Sequence, residues 1–121
     1  MSVLRLSKEW MQKILVNCGF TETDAQVYVF LAAKGPQKAR DIAGALKLYR
    51  QQPYRILKKL QSKGIVNVSP EYPARFSAVL FERVLDLLIK AKTEQKEALQ
   101  ASKKELLCTW RSITEKDNEK S

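Results

Sequence analysis

The order of apolar and polar positions predicts two helices in the first third of the chain. In the first, residues 7–18, Ser7 stands at the N-cap and the apolar side chains share one face: Trp10, Met11, Ile14, Leu15 and Cys18. The second begins with Thr21 as its N-cap and ends before Gly35, and apolar residues cover nearly all of its sides. Because such a helix has no face for water, it is predicted to be the buried centre of a domain.

Two further helices, separated by a brief break, are predicted next. Residues 37–46 have the apolar spacing of an amphipathic helix, carried by Ala39, Ile42, Ala43 and Leu46. After the break at residues 47–49, a fourth helix is predicted over residues 50–63, with four inward-facing residues: Pro53, Ile56, Leu57 and Leu60. Proline is tolerated in a first turn because the N–H groups there have no partner within the helix.

The periodicity changes after Gly64. Residues 65–68 and 75–79 read as short β-strands around a turn-rich segment, which predicts a small hairpin. Residues 82–113 contain no Gly or Pro and predict one long helix, whereas the polar residues 114–121 are expected to be a disordered tail. The predicted fold class is mainly α with a small β-hairpin: a winged helix-turn-helix in residues 1–80, followed by a long C-terminal helix in residues 81–113.

The distribution of charge indicates which part of this fold contacts a partner. The chain has 121 residues, with 22 Lys and Arg against 13 Asp and Glu and no His, for a formal net charge of +9. Residues 35–64 hold eight basic residues and one acidic residue, so most of the excess lies in the predicted helix-turn-helix. In this topology the helix-turn-helix is the element presented to a partner. A local positive charge there favours double-stranded DNA as that partner.

The face of the fourth helix opposite its inward stripe is the predicted DNA contact. Glutamine and arginine side chains can pair with adenine and guanine edges in the major groove, and lysine suits phosphates. Basic residues at the start of the third helix are expected to meet backbone phosphate, helped by the helix dipole. The predicted DNA-binding residues are Lys38, Arg40, Arg50, Gln51, Gln52, Arg55, Lys58, Lys59 and Arg75, with Lys63 and Tyr72 as weaker candidates.

Several other functions are disfavoured by the composition. Without His, a Gly-rich phosphate loop or a nucleophile motif, we expect no enzyme and no catalytic residue. Cys18 and Cys108 are too few for a disulfide framework or a conventional zinc site, so no metal or cofactor is expected. The chain lacks an apolar run of membrane-spanning length and a signal peptide, which favours a cytoplasmic protein with no membrane partner.

The long last helix has an apolar stripe with polar interruptions, too hydrophobic for a solitary solvated helix. We expect most of it to pair with the same helix of a second chain. The alternative is a single helix folded back on its own domain. The predicted dimer-interface residues are Leu88, Ala91, Gln95, Ala98, Leu99, Ser102 and Leu106.

Five motifs between Leu15 and Val79 stand in a specific order. They are Cys18–Tyr28, Lys34–Pro36, Ala39–Ala43, Tyr54–Val66 and Arg75–Val79. In this order and spacing the chain resembles the winged-helix domain of the TrmB-like family of archaeal transcriptional regulators. It departs from the family pattern at Lys47, where a glycine is common, at Lys38, where a small polar residue is common, and at Pro53.

The resemblance implies a homodimeric transcriptional regulator that binds double-stranded DNA sequence-specifically. Residues 50–63 would be the recognition helix in the major groove, residues 65–79 the wing, and the long helix the means of dimerisation. Many family members continue into a sugar-binding effector domain, and we expect none in this chain. Two alternatives stay open: a winged-helix protein–protein interaction module, and a nonspecific architectural nucleic-acid-binding protein.

Overall fold

A computed structural model describes the backbone of residues 2–120 and the side chains of residues 7–115. Two compact units divide the chain, Met1–Asp86 and Leu87–Ser121. Within the described residues no helix has the length and apolar character needed to cross a membrane. The elements, in chain order, are α1 Ser2–Asn17, α2 Glu22–Lys34, β1 Gln37–Lys38, α3 Ala39–Leu46, α4 Gln52–Ser62, β2 Val66–Val68, β3 Arg75–Ala78 and α5 Phe81–Lys120.

The first two helices match the predicted pair, with one change at the start of the chain. Helix α1 begins at Ser2, so Ser7 lies inside it and is not its N-cap. Helix α2 begins as predicted at the N-cap Thr21, whose Oγ1 accepts a 3.0 Å hydrogen bond from the Asp24 N–H. The Asp24 carboxylate in turn accepts a 2.9 Å bond from the Thr21 N–H, which completes a capping box with aspartate in the usual glutamate position.

Helix α2 is the centre of the core, as its apolar surface predicts. The other elements of the first unit also contribute buried apolar side chains to this core. The four residues of α4 that were predicted to face inward are all buried. Burying this much apolar surface is the main stabilising contribution to a domain of this size. The largest fully buried side chains are Tyr28, Leu15, Leu31, Ile42, Leu57, Leu60, Ile65, Val27, Val84 and Pro53.

The sheet has three antiparallel strands in the order β1-β3-β2, one more than the predicted hairpin. Strands β2 and β3 form that hairpin, with Val66 opposite Ala78 and Val68 opposite Phe76. The additional strand, β1, takes the first two residues of the predicted third helix, which therefore begins at Ala39. A strand of two residues is too short to show a period in the sequence.

The turn between α3 and α4 contains two non-glycine residues with positive φ. Lys47 caps α3 in the left-handed conformation, at φ 55° and ψ 45°, and its N–H donates to the Ala43 carbonyl. The Leu48 N–H donates to the same carbonyl at 2.9 Å, and Arg50 follows at φ 41°. Helix α4 therefore begins at Gln52, two residues later than predicted, with Pro53 in its first turn.

Helix α5 is longer than predicted. It begins at Phe81 and continues past Ile113 to Lys120, so the segment expected to be a disordered tail is helical as far as Lys120, and Ser121 lies outside the described residues. At 1.5 Å per residue its 40 residues extend for about 60 Å. Its sequence lacks glycine and proline over this length, which leaves no residue that would end the helix sooner.

One buried tyrosine anchors the connection from β3 to α5. The Tyr28 hydroxyl donates a 2.6 Å hydrogen bond to the Val79 carbonyl, and its ring lies 6.1 Å from that of Phe81. Burial raises the pKa of Tyr28 from 10.0 to about 12. Because the ring is buried and this bond uses the only hydrogen that the hydroxyl can donate, we interpret Tyr28 as a structural residue.

Candidate nucleic-acid interface

Helix α4 presents a polar face because its four apolar residues all turn inward. Gln51, Arg55 and Lys58 are exposed on or beside this face, and Lys38 and Arg40 lie at the start of α3. Among the described side chains, none supplies a carboxylate to Arg40, Arg55 or Lys58. These cations are therefore available to an external anion.

One groove beside α4, here called the wing groove, lies between α4, the start of α3 and the hairpin. It has a volume of about 540 Å³, and its lining residues are Lys38, Ala39, Arg40, Tyr54, Tyr72, Pro73, Ala74 and Phe76. The structure thus brings two predicted basic residues, Lys38 of β1 and Arg40 of α3, together with the hairpin residue Tyr72, which follows Lys38 by 34 positions in the sequence.

Two tyrosines in the wing groove extend the predicted site. Tyr54 was not among the predicted contacts, although its side chain is 57% exposed on α4, and Tyr72, a weaker candidate, is 99% exposed on the hairpin. A phenol in this position can donate a hydrogen bond to a phosphate oxygen. The sequence did contain an indication that Tyr54 is exposed, because it is an aromatic residue outside the apolar stripe of its own helix.

Lys38 and Arg75 are directly opposed on β1 and β3. Opposed residues of an antiparallel pair project from the same face of the sheet, and two like charges there repel each other. Arg75 is exposed and Lys38 half-buried, so an external anion at this position would relieve the repulsion. The pair was not foreseen, because the strand that carries Lys38 was predicted as helix.

A second groove, here called the α2 groove, separates α4 from the N-terminal end of α2. It has a volume of about 330 Å³ and is lined by Thr21, Thr23, Asp24, Gln52, Arg55, Ile56 and Lys59. Lys59 Nζ lies 2.6 Å from Asp24 Oδ2 and 6.0 Å from the centre of the Phe20 ring. The structure therefore gives Lys59, a predicted DNA contact, a partner within its own chain.

Two more of the predicted contacts are also held by their neighbours. The Gln52 Oε1 atom accepts a 3.1 Å hydrogen bond from the Tyr49 N–H, which holds this amide oxygen against the backbone that precedes α4. The Arg50 guanidinium carbon lies 5.5 Å from the centre of the Tyr49 ring, at cation–π distance. Reading adenine requires both the oxygen and the nitrogen of a glutamine amide, so Gln51 is better placed for it than Gln52.

The second unit exposes the predicted dimer-interface residues along α5. Leu88 is half-buried, whereas the other six, from Ala91 to Leu106, are exposed. Large apolar side chains remain uncovered here, with Leu99 65%, Leu106 55% and Ile113 55% exposed.

Across the described residues no group of His, Cys, Asp and Glu is arranged to hold a metal ion.

Comparisons with known proteins place this architecture. The sequence profile described as "Sugar-specific transcriptional regulator TrmB" matches residues 15–82. No curated protein sequence gives a significant match. The archaeal chromatin protein TrmBL2, described as showing a novel mode of DNA binding, superposes with a TM-score of 0.71 at 26% identity, over 88% of this chain and 42% of that one.

Two solved structures with lower identity share the fold. The ST1889 protein of the archaeon Sulfolobus tokodaii has a TM-score of 0.64 at 22% identity, over 75% of this chain and 96% of its own. A mutant of S. aureus MepR, bound to an oligodeoxyribonucleotide, has a TM-score of 0.52 at 14% identity, over 99% of this chain and 96% of its own. The present chain spans less than half the length of TrmBL2. Because the profile covers more than half of the chain and the predicted winged-helix elements are all present, the chain belongs to the TrmB family of transcriptional regulators.

Proposed function

We propose that this chain is a homodimeric transcriptional regulator that binds double-stranded DNA sequence-specifically. The observation that carries the proposal is the local charge of the helix-turn-helix segment. Residues 35–64 hold eight basic residues and one acidic residue, and those with no carboxylate partner among the described side chains include Arg40, Arg55 and Lys58. An uncompensated cationic surface of this kind attracts the phosphate backbone and releases its counterions.

In the proposed complex, α4 enters the major groove and the wing groove faces the adjacent backbone. Gln51 and Arg55 are the proposed base contacts because both are exposed and both side chains are free to present paired donors or acceptors. Lys38, Arg40, Lys58 and Arg75 are the proposed phosphate contacts, with Tyr54 and Tyr72 as hydrogen-bond donors. Arg50, Gln52 and Lys59 support the geometry of this surface through the contacts described above.

The proposed dimer forms through α5. Among the side chains that the structure describes, several leucines of residues 87–115 are exposed and form an apolar surface that a second copy would bury. Two recognition helices related by a two-fold axis read half-sites about 34 Å apart, which is one turn of DNA. We expect a regulator of this kind to act in the cytoplasm, with residues 1–80 as its DNA-binding domain and residues 81–113 as its dimerisation helix.

A second candidate is nonspecific architectural binding. TrmBL2, at 26% identity, is described as a chromatin protein, and the same basic surface can bind DNA of any sequence. The two candidates differ in whether base edges contribute to the affinity.

Selection from a pool of random duplexes separates the candidates. The bound fraction should converge on a pseudo-palindrome, and the affinity for it should exceed that for a scrambled duplex at two salt concentrations. Binding without convergence would favour the architectural candidate. If no duplex is retained even at low salt, both DNA-binding candidates fail.

A further inference from the structure

Residues 95–113 of α5, which lie in the second unit, carry apolar and polar side chains in two separate rows. We propose that two copies of this chain pair through these rows as a parallel, in-register coiled coil. The inference rests on the proposed homodimer and adds its geometry.

The first row contains Leu99, Leu106 and Ile113, which are spaced by seven residues and are all more than half exposed. The second contains Gln95, Ser102 and Thr109, also spaced by seven. Successive members of the two rows are alternately three and four residues apart, which is the pattern that keeps one seam of a helix facing a partner. We call them the aliphatic row and the polar row.

Only the parallel orientation places each row against the same row of the partner helix. In a parallel pair, each core layer contains the same residue from both copies, so Leu99 packs on the partner's Leu99 and Gln95 bonds to the partner's Gln95. In an antiparallel pair, each layer joins a member of one row to a member of the other. Every leucine would then bury a glutamine, serine or threonine, which costs free energy unless the polar group finds a partner.

The flanking charges favour the same orientation. Lys96 and Lys103 follow the polar row directly, and Ala91 and Ala98 precede the aliphatic row. In a parallel pair these lysines lie beside the partner's alanines and their ammonium groups stay in water. In an antiparallel pair they lie beside the partner's lysines, where like charges repel.

Lys92 continues the aliphatic row one heptad before Leu99. In the parallel pair it meets its own copy, which lowers the stability of that layer. A single lysine at such a position is a recognised determinant of register and of the two-stranded state. The parallel arrangement also brings the N-terminal ends of residues 87–120 of both copies to the same end of the pair.

Disulfide trapping tests the orientation in the full-length chain. Cys18 and Cys108 are free thiols, so they are first replaced as Cys18→Ala and Cys108→Ser. Single cysteines are then introduced as Gln95→Cys in the polar row and Leu106→Cys in the aliphatic row, at two positions about 16 Å apart along the helix. Lys104→Cys, on the opposite face of the helix, is the matched control.

Under mild oxidation, we expect both Gln95→Cys and Leu106→Cys to form self-disulfides and Lys104→Cys to form none, because only thiols about 4 Å apart at Cβ can bridge. A disulfide between the two variants when mixed, with neither or only one forming alone, indicates antiparallel pairing and overturns the inference. Sedimentation of the reduced wild-type chain is measured in parallel. If that chain is monomeric at all concentrations, the proposed dimer itself fails.

Discussion

Lys59 of the recognition helix lies 2.6 Å from the carboxylate of Asp24 at the first turn of α2. Asp24 is 3% exposed and also accepts the Thr21 N–H, whereas Lys59 is 40% exposed. One carboxylate thus closes the cap of the central helix and holds the recognition helix against it. Lys59 is a positioning residue in this arrangement, and its neighbour Lys58, exposed on the same helix, is its natural comparison.

Replacing Lys59 should lower stability more than replacing Lys58. Lys59→Ala leaves the buried Asp24 carboxylate without its cation, and we expect the free energy of unfolding to fall by about 1–3 kcal/mol. Lys58→Ala removes an exposed charge and should change it by less than about 0.5 kcal/mol. Urea denaturation of both variants measures the difference; equal losses would contradict the assigned role.

The same two variants should differ in the opposite sense in DNA binding. Lys58→Ala removes a proposed phosphate contact, so the slope of log affinity against log salt should become shallower by about 1. Lys59→Ala should leave the slope unchanged at a temperature where the variant is folded. A slope that changes with Lys59 instead would make Lys59 the phosphate contact.

Arg55 and Lys38 test the division between base and phosphate contacts. Arg55→Ala should cost about 1–3 kcal/mol on the preferred duplex and relax the preference at one base position. Lys38→Ala should weaken binding to preferred and scrambled duplexes alike. Competition binding with single-base variants of the selected duplex measures both effects, and an unchanged preference in Arg55→Ala would show that α4 is oriented differently.

Tyr72 tests the wing groove separately. Its side chain is 99% exposed, so Tyr72→Ala should not change the free energy of unfolding measurably. We expect this variant to bind DNA about 3- to 10-fold more weakly, since one hydrogen bond to the backbone contributes about 1 kcal/mol. Fluorescence anisotropy at fixed salt is the measurement, and wild-type affinity would exclude the hairpin from the interface.

Lys47 offers a stabilising substitution. It is held at φ 55°, where a side chain costs about 1–2 kcal/mol and glycine costs little beyond its extra entropy in the unfolded chain. Lys47→Gly should therefore raise the free energy of unfolding by up to about 1 kcal/mol, and Lys47→Val, with a β-branched side chain, should lower it. A thermal melt that moves down for glycine would show that the lysine side chain contributes a contact of its own.

Tyr28 gives a prediction at high pH. The folded state keeps its hydroxyl protonated up to about pH 12, whereas the unfolded chain loses that proton near its ordinary pKa of 10.0. Between these values the unfolded state binds fewer protons, so stability falls as the pH rises, by about 1.4 kcal/mol per unit. Tyr28→Phe should be about 1 kcal/mol less stable at neutral pH, because the hydrogen bond is lost. Without the hydroxyl, its free energy of unfolding should not fall as Tyr28 titrates, so the plots of this free energy against pH for wild type and variant should converge from pH 10 upward. Parallel curves would contradict the role of the hydroxyl.

Local chemistry along the chain was enough to predict most of the fold. The Thr21 cap, the inward stripe of α4 and the hairpin follow from side-chain spacing and turn residues, which act over a few positions and are visible in the sequence. The start of α4 was misplaced because Lys47 and Arg50 adopt positive φ without being glycine. Strand β1 was missed because two residues become a strand only when β3 lies beside them.

The charge of the helix-turn-helix and the composition that favours DNA over catalysis are properties of the sequence alone, since they need only counts and positions. Which cations are free to meet DNA depends on the tertiary structure. Lys58 and Lys59 are adjacent and chemically identical, yet only Lys59 reaches a buried carboxylate, which lies 35 residues away in sequence. Folding likewise opposes Lys38 to Arg75 and gathers Tyr54 and Tyr72 into one groove. Contacts between distant segments depend on how helices and strands pack, and no local pattern encodes them.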